Sequence, residues 1–188
     1  MPKFFTLLLL LSSCGIDRTI NSISSAEKRD FDSFKKLDQK HKLSIADKSE
    51  PGEPLTLCLT FVDKITKAPL VNRQVHFYHT NINGDYRPEI AGDESTARLN
   101  GDAISDSNGR ILVSTILPGD YGSSTDNRHI HTSFFGAKPE AYDIHFKQYT
   151  GIMGKRFIDG SDQHFLADLK KNIDGTLIGF LTIEVKNP

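Results

Sequence analysis

The sequence predicts an all-β sandwich preceded by a short helical segment, on three observations. From Leu55 onward, apolar residues come in short alternating or β-branched runs rather than at helical spacing. Turn dipeptides separate those runs, at Asn83-Gly84, Asn108-Gly109 and Asp174-Gly175. A chain of 188 residues with 12 Phe, 5 Tyr, no Trp, 14 Gly and 8 Pro has the composition of strands and turns rather than of a helical bundle.

Taken in order, the first element is residues 1–13. Lys3 supplies a positive start, residues 4–11 form an apolar run, and Leu11-Ser12-Ser13-Cys14 follows. A spanning helix needs about 20 apolar residues, so this shorter run reads as a cleaved signal. The segment resembles a bacterial lipobox. That resemblance implies cleavage before Cys14, a lipid on its sulfur, and a protein held to a membrane outside the cytoplasm, at the outer membrane or the periplasmic face. Cys58, in Leu57-Cys58-Leu59, is then left without a disulfide partner and reads as a small buried apolar residue.

Residues 14–52 are rich in Ser, Lys and Asp and read as a tether carrying one helix. Ser24 and Glu27 have the spacing of a capping box, with Phe31, Phe34 and Leu37 recurring behind them. The charged stretch 35–42 reads as a solvated helix face. Residues 53–188 form the sandwich, with strands expected over 55–62, 74–80, 111–115, 129–135, 142–149 and 177–185. A weak helical pattern lies over 165–171. With 23 basic against 24 acidic side chains, the chain has no general field to hold a polyanion, which argues against nucleic acid as the main ligand.

His129-Ile130-His131 is the first feature with chemistry in it. Strand side chains alternate, so both imidazoles project from one face while Ile130 takes the other. Exposed polar alternation produces the same string, so the pair alone decides little. Tyr86 and Tyr121 sit in turn-like surroundings, in Asn83-Gly84-Asp85-Tyr86 and Pro118-Gly119-Asp120-Tyr121. Two phenol oxygens beside two imidazole nitrogens suit Fe(III), whose charge favours tyrosinate at neutral pH.

These residues bring the chain close to a known family. The ungapped run from Val75 to Tyr86 resembles the strand of intradiol ring-cleavage dioxygenases, such as catechol 1,2-dioxygenase and protocatechuate 3,4-dioxygenase, that ends in a tyrosine ligand. Ser105-Asp106-Ser107-Asn108-Gly109-Arg110 and Thr115-Ile116-Leu117-Pro118-Gly119-Asp120-Tyr121 are similar to the family segments that lead to its second tyrosine, and His129-Ile130-His131 matches its His-Ile-His. The resemblance covers about 55–188 and implies a prealbumin-like sandwich. It further implies Fe(III) on Tyr86, Tyr121, His129 and His131. A catechol-type diol and O₂ would be the substrates and a muconate-type diacid the product. Tyr121 would be the ligand displaced by the diol, acquiring a proton as it leaves.

The chain departs from the family pattern just before the histidines. Where the family carries a charge-stabilising arginine stands Asp126, and Arg128 is the candidate to replace it, although strand alternation points it to the opposite face. Direct register puts Phe146 where the family has a glutamine, with Gln148 two residues on. His145 and Lys147 read as exposed residues of an edge strand, with lining of the pocket as the alternative, and His76, His79 and His164 have no spacing that adds a second metal site. The alternative to an enzyme is a noncatalytic surface lipoprotein that uses the same sandwich to bind iron–catecholate, a glycan or a protein partner.

Overall fold

The structure is a computed structural model that describes residues 18–122 and 125–188; the N-terminal apolar run and Cys14 lie outside them. In chain order the elements are β1 (Asn21–Ser22), α1 (Ser25–Lys35), β2 (Lys42–Ser44), β3 (Pro54–Asp63), β4 (Gln74–His79), β5 (Leu99–Ile104), β6 (Arg110–Ile116), β7 (Asn127–Phe134), β8 (Ala141–Thr150), α2 (Ile152–Gly160), β9 (His164–Ala167), β10 (Lys170–Lys171) and β11 (Leu177–Val185). They build a six-stranded sheet, β1-β10-β11-β3-β6-β2, facing a five-stranded sheet, β5-β4-β7-β8-β9. The expected sandwich is therefore observed.

Alternation along the strands explains the layering. In β3, Leu55, Leu57, Leu59 and Phe61 point between the sheets and meet Val75 and Phe77 of β4, Ile130 and Phe134 of β7, and Ile144 and Phe146 of β8. Cys58 takes the other face, where it is covered by Phe31, Phe34 and Leu37. The helix that carries two of these residues starts at the expected capping box: Glu27 N donates to Ser24 Oγ at 3.2 Å and Ser24 N to Glu27 Oε2 at 2.8 Å. Burying each phenylalanine contributes about 2–3 kcal/mol, against roughly 1 kcal/mol for the cap, so packing rather than capping holds α1 in place.

This arrangement corrects the reading of 14–52 as a tether. From Asn21 the segment belongs to the fold, since β1 pairs with β10 and β2 pairs with β6. Its low density of apolar residues misleads because only one face of α1 and two short edge strands need covering. The helix expected over 165–171 is also corrected: Phe165 and Leu166 lie in β9, and Lys170 and Lys171 form β10. The second helix is α2 instead, obscured in the sequence by Gly154 and Gly160.

Candidate metal centre

The centre lies on the outer face of the five-stranded sheet, the side turned away from the sandwich core. Register assembles it. His129 pairs with His145 and His131 with Asp143 between β7 and β8, Tyr78 pairs with His131 between β4 and β7, and His164 pairs with Asp143 between β8 and β9. Because paired residues share a face, all six side chains are brought to one patch.

The two tyrosines arrive on loops locked together by backbone. After β4, Asn81 Oδ1 accepts from Asn83 N at 2.8 Å and from Asp85 N at 3.1 Å, and its carbonyl accepts from Gly119 N at 2.9 Å. A Cβ on Gly84 would stand 2.2 Å from the Asp120 carbonyl oxygen, and one on Gly119 would stand 2.4 Å from that of Ile82. Only glycine allows this approach, with Gly84 at φ +85°. It sets the Tyr86 and Tyr121 rings 5.3 Å apart. Asp120 then receives Asn127 N at 3.0 Å, tying the second loop to the start of β7.

Tyr86, His129 and His131 converge directly. Tyr86 Oη donates to His131 Nε2 at 2.7 Å, and His131 Nε2 lies 3.1 Å from His129 Nε2. Both histidines have their protons committed on the far side: His131 Nδ1 donates to Asp143 Oδ1 at 2.8 Å, and His129 Nδ1 donates to the Asn127 carbonyl at 3.0 Å. With Nδ1 the donor on each ring, both Nε2 atoms turn toward one another, and that of His131 accepts from Tyr86 Oη. Tyr121 stands at the rim, 40% exposed, with its hydroxyl donating to Glu94 Oε1 at 3.0 Å.

The electrostatics follow from burial. Desolvation holds the Tyr86 phenol far above its ordinary value, and the carboxylate of Glu94 adds to the shift. Tyr121 is raised by its hydrogen bond to Glu94. Burial lowers His129 and brings His145 down to about 4, so both are neutral at pH 7. Burial works against the Asp143 carboxylate, but the His131 hydrogen bond and the neighbouring imidazoles outweigh it and keep it ionised. A buried phenol hydrogen-bonded to one of two converging imidazoles fits a small cation of high charge, which would favour the Tyr86 phenolate against its burial.

Arg128 is placed elsewhere. Its guanidinium stacks over the Tyr149 ring at 4.6 Å and its Nε lies 3.4 Å from Asp120 Oδ2, so the expected replacement for the charge-stabilising arginine is not among the residues lining the site cavity. Asp126 abuts Gly151, the residue before α2, and its carbonyl accepts from Gly151 N at 3.1 Å. A carboxylate at that helix N-terminus is favourable. Gln148 is also structural: buried between the sheets, it donates to Asp168 Oδ1 at 2.7 Å and accepts from Leu169 N at 3.1 Å.

Other residues join the centre that sequence patterning did not single out. β8 is an interior strand, so His145 is buried and lines the site cavity; only Lys147 is exposed, 3.6 Å from Asp168. His164 joins Asp143 and His145, against the reading that it adds no ligand cluster. Strand alternation could have found Asp143 and His145 opposite His131 and His129, whereas His164 is supplied by a parallel pairing with no local signal. Phe157 of α2 adds an apolar wall. The cavity has a volume of about 200 Å³. A dry apolar cavity of about 150 Å³ holds benzene, so this one admits a single aromatic ring.

A dioxygenase family model matches residues 29–188. No curated protein matches the chain. Among solved structures, the chain is similar to the dioxygenase domain of a dioxygenase and carbohydrate-binding protein fusion from Streptomyces sp. SirexAA-E, at TM-score 0.56 and 19% identity over 81% of this chain and 93% of that one. It is also similar to an intradiol ring-cleavage dioxygenase from Tetranychus urticae, at TM-score 0.57 and 18% identity over 80% and 90% of the two chains. A third similar structure is 3-chlorocatechol 1,2-dioxygenase from Rhodococcus opacus 1CP, at TM-score 0.59 and 15% identity over 81% and 67%.

Proposed function

The chain belongs to the intradiol ring-cleavage dioxygenase family, and we propose that it cleaves a catechol-type ring with O₂, using Fe(III) held by Tyr86, Tyr121, His129 and His131. The observation that carries this reading is the convergence of His129 Nε2 and His131 Nε2, 3.1 Å apart, beside the Tyr86 hydroxyl. One phenol oxygen and two imidazole nitrogens so converged are a donor set that a cation would draw together on displacing the Tyr86 proton. When bound, Fe(III) would supply Lewis acidity toward both oxygens of the diol and the electronic means for O₂ to attack its ring.

The protein's own contributions are positional and protonic. Asp143 and the Asn127 carbonyl hold the two imidazoles in the ligating tautomer. Tyr86, buried and rigid, supplies a fixed oxygen, while Tyr121, exposed at the rim, is free to turn outward and take a diol proton at Oη. Glu94 is positioned to receive that hydroxyl. Phe157 and the His145 and His164 rings shape the wall against which an aromatic ring would lie.

A second reading, retention of iron–catecholate without turnover, is favoured by the engagement of Arg128 with Asp120 and Tyr149, which keeps its charge away from the position where charge develops on the ring. Binding of a glycan or a partner protein has no such observation behind it. One experiment separates enzyme from binder: the visible spectrum of the Fe(III)-loaded protein, before and after catechol under air. A tyrosinate-to-iron band that shifts on addition and recovers as a muconate-type product forms supports the enzyme. A stable shifted band without product supports the binder. A colourless protein, or a band that survives both Tyr86→Phe and His131→Ala, overturns the iron site.

The lipobox-like start supports a surface location through lipid on Cys14. Among the described residues no helix is long and apolar enough to cross a membrane. Cys14→Ala should move the protein from the membrane fraction to the soluble one.

A further inference from the structure

Asp143 has two oxygens and only one is used at the centre described above. Oδ1 accepts from His131, while Oδ2 lies 3.3 Å from His164 Nδ1, which in turn lies 3.1 Å from His145 Nε2. His164 Nδ1 carries at most one proton, and that proton cannot satisfy both neighbours. His145 Nδ1 is, moreover, buried with no hydrogen-bond partner among the described residues, on a side chain only 1% exposed. Nothing on the Nδ1 side fixes the His145 tautomer, so Nε2, which faces His164 Nδ1, can present its lone pair to a cation.

We propose that Asp143, His145 and His164 form a second metal site, for a divalent ion of the zinc class, beside the iron centre. Zn–N and Zn–O bonds of about 2.0–2.2 Å in tetrahedral array place ligand atoms roughly 3.3 Å apart. The two measured edges of 3.1 and 3.3 Å match that spacing, and the three donor atoms lie within 4.8 Å of one another. Two imidazoles and one carboxylate are a borderline donor set that favours zinc or its neighbours over Mg²⁺ or Ca²⁺. Three protein ligands leave a fourth position open to the cavity that His145, His164 and Phe157 line. Asp143 thereby links the two centres, holding His131 through one oxygen and the second ion through the other, and its negative charge offsets the repulsion between the cations.

The site uses none of the four iron ligands, so it is tested apart from them. The probes are Zn(II) itself and total metal analysis after dialysis of the full chain, with and without prior Fe(III) loading. Expected are one zinc per chain in the wild type and in Tyr86→Phe, and zinc binding at least roughly 100-fold weaker in His164→Ala, since losing a ligand exceeds the ~10–100-fold cost of losing a ligand's partner. The tyrosinate-to-iron band should persist in His164→Ala. Circular dichroism reports folding, and His164→Gln replaces the alanine variant if that one is unfolded. Wild-type protein that takes up no zinc beyond iron, or zinc that is lost in Tyr86→Phe yet kept in His164→Ala and His164→Gln, overturns the proposal. Failure of the iron reading would instead appear as the missing visible band, with zinc uptake unchanged.

Discussion

The Tyr121 hydroxyl donates to Glu94 Oε1 at 3.0 Å, so the more exposed of the two site phenols is held by a carboxylate rather than by its ring neighbours. Both the hydrogen bond and the negative charge of Glu94 favour the protonated phenol. Tyr86 has no such partner; its hydroxyl faces His131. The two tyrosines are thus unequal before any diol arrives, and the one held by a carboxylate is at the rim.

Glu94→Ala should therefore let Tyr121 ionise more easily. In Fe(III)-loaded protein the pH at which the Tyr121-dependent part of the visible band grows in is expected to fall, because the hydrogen bond and charge that favour the protonated phenol are gone. Tyr121→Phe identifies that part of the band by removing it. A pH profile identical in wild type and Glu94→Ala would show that the carboxylate does not govern this phenol.

Arg128 is predicted to act on stability rather than on the metal. Stacking on Tyr149 and pairing with Asp120 at a partly exposed position together contribute about 1–2 kcal/mol. Arg128→Ala should lower the urea midpoint accordingly and leave the iron-to-tyrosinate band in place. Loss of the band at unchanged stability would return Arg128 to the centre.

How much of the fold and the centre is legible in the sequence depends on the range of the interaction. Alternation within one strand is local, so the order of residues alone assigns His129 and His131 to one face and Cys58 to a buried position. Turn chemistry is local too: Gly84, Gly109 and Gly175 all adopt positive φ, at +85°, +74° and +90°. Asp143 and His145 depend on register between β7 and β8, which alternation can suggest but not fix. His164 depends on a parallel pairing that only the assembled sheet supplies. Arg128 shows the reverse case, where local geometry gives the correct face and the irregular register between Asn127 and His129 does not change it. The strands β1 and β2 escape sequence patterning because two or three residues at a sheet edge carry no periodicity.

Cys58 is expected to be inert in the folded protein. Burial pushes its thiol up to about 12, and the ring of Phe31, Phe34, Leu112 and Ile178 covers it. The thiolate is the reactive form, so at pH 8 only about one molecule in ten thousand would carry it, against a substantial fraction for a free cysteine. Labelling with iodoacetamide followed by peptide mapping should find Cys58 unmodified in native protein and modified in urea. Rapid native labelling would mean that α1 detaches from the six-stranded sheet.

Acid sensitivity near neutrality should come from His79. It is fully buried between the sheets, with Nδ1 donating to the Thr80 carbonyl at 2.7 Å and Nε2 accepting from Thr115 Oγ1 at 2.7 Å. Burial lowers its pKa from 6.5 to about 4. Between those values the unfolded chain binds a proton that the folded chain refuses, so stability is full above pH 6.5 and declines as pH falls toward 4. At about 1.4 kcal/mol per unit, the loss from this residue reaches roughly 3 kcal/mol. His145, also near 4, adds a second proton over the same window. Asp162, lowered to about 2 by its lysine partners, loses its contribution as pH falls through 3.8 toward 2, so it enters only at the acid end of this window. Urea unfolding of metal-free protein between pH 6.5 and 5 should show a net uptake of protons on unfolding, to which His79, His145 and the likewise lowered His129 contribute, and His79→Gln should reduce it by close to one. An unchanged slope in that variant would mean that His79 already accepts a proton in the folded state.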